Sequence, residues 1–176
     1  MLKITLDTNC IINFFDTTFT TAISVKELSE IINYATKGVI DIAITTRIGL
    51  DLSKDKNKVR QVSLFKQLNM FPKIPCIARF GITTYGDHEK FWSKEDIELE
   101  KELLVNIFPT LTKDDKRYTN KIADIDHLIA HIISKRDIFV TDDIKLLKTA
   151  NLLDQKYHLI VDSPKQCLQK IKLNHR

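Results

Sequence analysis

The chain has 176 residues, a length that supports one folded unit with a full core. At 43% hydrophobic and 28% charged residues it has the mixture of a soluble globular protein, which excludes disordered and fibrous classes. Lys plus Arg number 27 against 23 Asp plus Glu, a formal charge of +4 that permits a nucleic-acid partner without requiring one.

Lys3 to Leu6 is a short β-prone run ending on Asp7, and Asn9 to Phe15 reads as a short apolar helix. Ser24 and Glu27 have capping-box spacing. Val25, Leu28, Ile31, Ile32 and Ala35 follow at helical intervals to about Thr36, with Gly38 as the stop. Val39 to Thr46 is dense in β-branched residues, the pattern of a buried strand, and Arg47 to Leu52 turns into a new helix. From Ser53 to about Arg117 the signal is less orderly and reads as an elaboration. It holds a charged helical stretch over Lys54 to Leu68, a segment punctuated by Pro72 and Pro75, and a helix from Ser93 whose capping box is completed by Asp96. Helical periodicity returns near Asp124 in Ile125, Leu128, Ile129, Ile132 and Ile133, and Ile138 to Thr141 is a strand ending on Asp142 and Asp143. Leu146 and Leu147 sit on a short helix, His158 to Val161 forms a last strand, and Pro164 opens a terminal helix.

Strands alternating with helices predict a parallel sheet, because a parallel pair needs a crossover that is usually a helix. The expected fold is α/β, one three-layer α/β/α domain over residues 1–176 with a central parallel sheet. In such sheets ligands bind beyond the carboxyl ends of the strands, where Asp7, Asp142 and Asp143 would stand. The glycines, Gly38, Gly49, Gly81 and Gly86, never take a phosphate-cradle spacing, so dinucleotide and P-loop sites are excluded. Cys10, Cys76 and Cys167 are odd in number and far apart, which fits a reducing cytoplasm better than a disulfide framework. Asp7 interrupts any signal-peptide pattern and no run approaches a membrane span, so a cytoplasmic protein without a membrane partner is expected.

Asp outnumbers Glu by 16 to 7, and several Asp residues occupy strand ends or helix starts. Carboxylates gathered at one sheet edge repel one another and resist ionisation unless a cation neutralises them. Hard oxygen ligands suit Mg²⁺ or Mn²⁺. Such a site polarises a phosphodiester and lowers the pKa of an attacking water, so no nucleophilic side chain is required.

Leu6-Asp7-Thr8-Asn9 resembles the D-T-N start of the PIN-domain nucleases, a family that includes ribonuclease toxins of bacterial and archaeal toxin–antitoxin pairs. Asp126-His127-Leu128-Ile129-Ala130 is similar to that family's D-x-x-I-A helix start, and Val140-Thr141-Asp142-Asp143 to its closing V-T-x-D. Ile160 to Pro164 resembles the strand and Pro-led helix that close the fold, so the likeness covers the two ends of the chain. It implies a PIN-like fold and a metal-dependent ribonuclease using Mg²⁺ or Mn²⁺. Asp7, Asp126 and Asp143 would be the catalytic metal ligands, oriented through hydrogen bonds by Asn9 and Thr141. The remaining acid of the family is usually a Glu on the helix after the second strand. Asp51 stands at that place and is expected to act through a metal-bound water or a more loosely held second metal. Asp124 is expected to cap or stabilise the acidic helix, with a role at the metal as the alternative, and Asp124 and Asp142 are both expected to support the ligands, Asp142 from beside Asp143. RNA, a cognate antitoxin protein and a second copy of the chain are the implied partners.

Lys113, Lys116, Arg117 and Lys121 cluster just before the acidic helix and are expected to hold RNA phosphates; Lys54, Lys56, Lys58 and Arg60 form a second cluster. His127 and His131 have the outer spacing of H-E-x-x-H, but Leu128 fills the place of the general base, which argues against a zinc protease. They are expected as helix-surface or satisfied core residues, and His88 and Trp92 as packing or surface groups. Two other readings compete. A haloacid-dehalogenase-like phosphatase would need a second Asp where Asn9 stands, and a non-catalytic RNA- or protein-binding PIN-like module would not need the acids that are present.

Overall fold

The computed structural model describes residues 1–15, 24–54, 56–79 and 91–175. In chain order these form β1 (Leu2–Leu6), α1 (Thr8–Phe15), α2 (Val25–Thr36), β2 (Ile40–Thr45), α3 (Arg47–Ser53), α4 (Lys58–Leu68) and β3 (Lys73–Ile74). Then follow α5 (Lys94–Ile107), α6 (Tyr118–Ile133), β4 (Ile138–Val140), α7 (Ile144–Tyr157), β5 (Ile160–Asp162) and α8 (Pro164–Asn174). The strands pair in the order β3-β2-β1-β4-β5, all parallel.

Side-chain alternation along the strands separates two cores. Ile4, Leu6, Ile138 and Val140 point to one face, covered by Ile11 of α1, Leu28 and Ile31 of α2 and Leu168 and Ile171 of α8. Phe139 and Val161 point to the other, under Leu103 of α5, Ile125 and Leu128 of α6 and Leu146 and Leu153 of α7. The result is the expected three-layer α/β/α arrangement. Above β1 and β2 the second face carries the buried small residues Thr5, Ala43 and Thr45, which let α6 approach closely. His131 Nδ1 lies 2.9 Å from Thr5 Oγ1 and His127 Nδ1 lies 2.5 Å from Thr45 Oγ1. The i, i+4 spacing of the two histidines thus matches neighbouring strands of the sheet, and both rings are buried rather than on the surface.

Local chemistry moved several boundaries. The Pro-punctuated segment supplies β3, an edge strand of two residues; Ile44 N–H donates to Pro72 O and Thr46 N–H to Ile74 O. Proline masks such a strand in sequence because it interrupts the donor ladder. The stretch expected as one helix over Lys54 to Leu68 breaks, since Asn57 accepts from Arg60 N–H and starts α4 afresh. Ser24 makes no capping bond; its hydroxyl donates to Asp142 Oδ2 at 2.6 Å, tying the start of α2 to the turn after β4. The Ser93–Asp96 box of α5 does form, as does a Ser163–Gln166 box behind Pro164. α7 is longer than a short helix, 14 residues, and ends at His158 in the left-handed region with φ 51. Trp92 donates its indole N–H to Ala78 O at 2.7 Å, while His88 lies outside the described residues. All three cysteines are free and buried. Among the described residues no helix is long and apolar enough to cross a membrane.

Burial, helped by the Arg136 charge, drives the His131 pKa down from 6.5 to about 4. Between these values the unfolded chain binds a proton that the folded chain refuses, so stability present above pH 6.5 is lost as pH falls. By about pH 4.5 that loss reaches roughly 2 to 3 kcal/mol. His131→Gln, which cannot titrate, should flatten the stability-against-pH curve by that amount, read by urea denaturation at pH 7.5 and 4.5.

Candidate functional site

The parallel register sets the carboxyl ends of β1 and β4 side by side, and Asp7 N–H continues their ladder to Val140 O at 2.9 Å. A cleft of about 580 Å³ opens beyond this edge. β1 delivers Asp7 to it, α3 delivers Asp51, and α6 delivers Asp124 and His127.

Asp7 is buried, and neither of its oxygens is loose. Thr141 Oγ–H donates to Oδ2 at 2.6 Å and Thr8 N–H to Oδ1 at 2.7 Å. Thr141 Oγ1 also receives Asn9 Nδ2 at 3.2 Å and the backbone N–H of Asp143 at 2.9 Å, while Asn9 Oδ1 receives the Asp142 N–H at 3.2 Å. Asn9 and Thr141 therefore stand where they brace the turn after β4 against Asp7. Burial raises the Asp7 pKa above its ordinary value, outweighing the His127 charge and both hydrogen bonds.

Asp51 faces the same cleft. Its Oδ2 lies 3.0 Å from His127 Nε2 and 3.3 Å from the Thr8 hydroxyl, and its Oδ1 stands 3.7 Å from Arg47 Nε and 3.9 Å from Lys54 Nζ. Burial pushes its pKa up, but His127, Arg47 and Lys54 more than reverse this and hold it below the usual carboxylate value. His127 shows the mirror image. Burial disfavours its charge, yet Asp51, Asp7 and Asp124 together raise its pKa. From sequence, His127 and His131 read chiefly as helix-surface or core residues, with contact to substrate near the site as the lesser alternative for one of them. The available signal was the helical face shared by Asn120, Ala123, Asp124 and His127, all of which line the cleft.

That face also corrects the expectation for Asp126. Two residues advance a helix by about 200°, so Asp124 and Asp126 lie on opposite sides of α6. Asp124 lines the cleft from the second turn of the helix, too deep to be the expected cap. Asp126 is fully buried behind it, accepts Arg79 Nε on both oxygens at 2.9 Å and pairs with the buried Arg47 at 3.1 Å. Motif spacing alone does not tell these two faces apart.

Asp143 Oδ1 accepts the Lys145 and Leu146 N–H groups and caps α7. Asp143 Oδ2 stands 3.9 Å from Lys121 Nζ, which lies 2.6 Å from Asp124 Oδ2. Burial drives the Asp124 pKa up to about 6 in spite of Lys121, with Asp7 and Asp143 adding repulsion. Asp142 is held away from the cleft by Asn13 Nδ2 at 2.9 Å and Ser24 Oγ at 2.6 Å. Of the cationic cluster expected at RNA, Lys113 and Lys116 are exposed away from the cleft lining, Arg117 pairs with Asp115, and Lys121 is engaged by the acids. Lys54, Lys56 and Arg60 of the other cluster line the cleft.

Among the described residues no group of three or more His, Cys, Asp or Glu is close enough together as it stands to hold a metal ion. The donor chemistry still fits a hard cation. Asp7, Asp51, Asp124 and Asp143 offer carboxylate oxygens without a thiolate, and Asp7 and Asp124, whose ionised forms burial disfavours, are groups that a bound cation would stabilise as carboxylates.

No family model and no curated protein matches the sequence. A chain of the crystal structure of VapBC2 from Rickettsia felis, bound to a DNA fragment from their promoter, matches in three dimensions with a TM-score of 0.51 at 14% identity. The match covers 92% of this chain and 98% of that one. The fold is PIN-like. At this identity the likeness is one of fold, and the PIN-like sheet order is what brings Asp7 beside the turn after β4.

The two helix acids should separate in stability. Asp126→Asn, which leaves Arg47 and Arg79 facing a neutral partner, should destabilise by about 3 kcal/mol or more at neutral pH. Asp124 has a raised pKa, so its penalty is absent below pH 4 and grows as pH rises through 6. Asp124→Asn in EDTA should therefore stabilise at pH 7.5, by at most about 3 kcal/mol, and match wild type near pH 3.5, both read by chemical denaturation.

Proposed function

We propose that this chain is a divalent-metal-dependent ribonuclease. The reading rests chiefly on Asp7. It is buried at the end of the central strand, fixed by two hydrogen bonds, and shares with Asp51 and Asp124 a cleft whose rim carries Lys54, Lys56 and Arg60. Asp7, Asp124 and Asp143 would hold Mg²⁺ or Mn²⁺, with Asp51 contributing more distantly. The bound ion would polarise a phosphoryl oxygen and activate water. Thr141 and Asn9 fix the Asp7 carboxylate, His127 and Thr8 fix Asp51, and the basic rim attracts the phosphate backbone irrespective of sequence. The motif resemblance and the likeness to a VapBC2 chain support a toxin role, with a cognate antitoxin, a homodimer and a cytoplasmic setting. Asn9 argues against a phosphatase acid/base, because its amide is committed to Thr141 and the Asp142 backbone. One observation favours a non-catalytic RNA- or protein-binding module as second reading: Asp51 and Asp124 already have cationic protein partners.

Purified protein should cleave RNA with Mg²⁺ or Mn²⁺ and stop with EDTA. Asp7→Asn should lose more than the roughly 10- to 100-fold that removal of an outer partner of a metal ligand costs. Asp51→Asn should keep activity at a raised metal concentration. Metal-independent cleavage, or a folded Asp7→Asn protein at wild-type rate, refutes the reading; RNA binding without cleavage establishes the second.

The rim makes a separate expectation. Replacing Lys54, Lys56 and Arg60 with Ala should flatten the salt dependence of single-stranded RNA binding by about 0.7 in log–log slope per lost contact. Lys113→Ala and Lys116→Ala should leave the slope unchanged, as measured by fluorescence anisotropy across a salt series.

A further inference from the structure

Lys121 stands between two of the acids that the metal-site reading uses, Asp124 and Asp143. Its ammonium is 2.6 Å from Asp124 Oδ2 and 3.9 Å from Asp143 Oδ2. Only 16% of the side chain is exposed, so this is a partly desolvated ion pair rather than a waving surface lysine. The geometry on both sides is constrained. Asp124 and Lys121 are one turn apart on α6, and Asp143 uses Oδ1 to cap α7, which leaves Oδ2 turned toward Lys121. The ammonium also lies 4.9 Å from the centroid of the Phe108 ring. Lys121 and Phe108 both line a second cleft of about 290 Å³, with Arg117, Lys145 and Lys148 in its wall.

We propose that Lys121 is the resident counterion of the acidic site, and that a divalent cation binds Asp124 and Asp143 only by displacing its ammonium. The proposal rests on the metal-site reading above and goes beyond it by assigning a competitor built into the same helix. Two cations held by one carboxylate oxygen repel at contact distance, so the ammonium and a divalent ion compete for it. The flexible lysine stem allows the ammonium to leave without moving α6, and the Phe108 face offers a cation a place to rest. Lys121 is then a positioning residue: it orders the carboxylates before the metal arrives and weakens the metal's hold on them.

Mn²⁺ binding to the intact chain, measured by calorimetry and by the paramagnetic resonance signal of free Mn²⁺, tests this without reference to activity. Lys121→Met should bind Mn²⁺ roughly tenfold more tightly than wild type. Lys121→Arg, which keeps the charge, should bind no more tightly than wild type. Lys145→Met, which removes a cation from the neighbouring cleft, should change affinity less than about twofold, reporting the general field alone. Should Lys121→Met fail to fold, the side-chain resonances of Lys121 in the wild-type protein give the second measurement: they should shift on Mg²⁺ addition with the midpoint of binding. Equal Mn²⁺ affinity in wild type and Lys121→Met, a gain no larger than that of Lys145→Met, or Lys121 resonances unmoved at saturation would each overturn the displacement while leaving the metal site standing. No Mn²⁺ binding in any folded variant would overturn the metal-site reading and this proposal together.

Discussion

A negative charge at the buried end of the central strand is the constraint around which the rest of the site is arranged. Asp7 cannot turn to solvent, because Thr141 and Thr8 hold both of its oxygens. A carboxylate buried without compensation resists ionisation, and Asp7 does so in spite of those bonds. The neighbouring groups read as responses to that charge. His127 is kept protonated-prone by Asp51, Asp7 and Asp124, and Lys121 is drawn in from α6 to Asp124. Each response offsets part of the burial cost, and Asp7 and Asp124 remain raised because desolvation outweighs those partners.

Behind the cleft lies a second ionic cluster with the opposite character. Asp126 is enclosed by Arg79 and Arg47, and Arg79 also reaches Glu100 and lies over the Trp92 ring. Here cations and anions balance within the interior, which is the condition under which buried charge is tolerated. Arg47 joins the two clusters. Its guanidinium is buried without well-aligned hydrogen bonds, and it stands between Asp126 at 3.1 Å and Asp51 at 3.7 Å. Asp51 is thus pulled from one side by Arg47 and from the other by His127, which accounts for its lowered pKa and its fixed aim into the cleft.

The layer order and the strand ends could be read from sequence because they depend on local signals. The β-branched run of Val39 to Thr46, the Gly38 stop with its φ of +69 and Pro164 at a helix start each act over a few residues. Asp7 and Asp143 were placed for the same reason, since a strand that ends on an acid puts it at the sheet edge. What failed depended on rotation or on distant partners. Asp124 and Asp126 differ by two residues, and which of them faces the cleft is settled by how α6 seats His127 on Thr45 and His131 on Thr5. Ser24 chose Asp142, far away in sequence, over its own helix. β3 exists because β2 offers it an edge, and its two residues carry no strand signal alone.

The carboxylates differ in how much freedom these partners leave them, and this sets what the site can do. Asp7 is doubly bound to Thr141 and Thr8 on the strand side, so its position is set by the sheet. Asp143 is half fixed: one oxygen is tied to the start of α7, where the helix dipole favours it, and the other is turned to Lys121. Asp124 pairs with a flexible lysine and has the largest latitude to adjust. On the proposed metal-site reading, Asp7 would set where a cation's charge sits, and Asp124 on the α6 side of the cleft, with Asp143 at the start of α7 beside it, would adjust to it and set how strongly it is held.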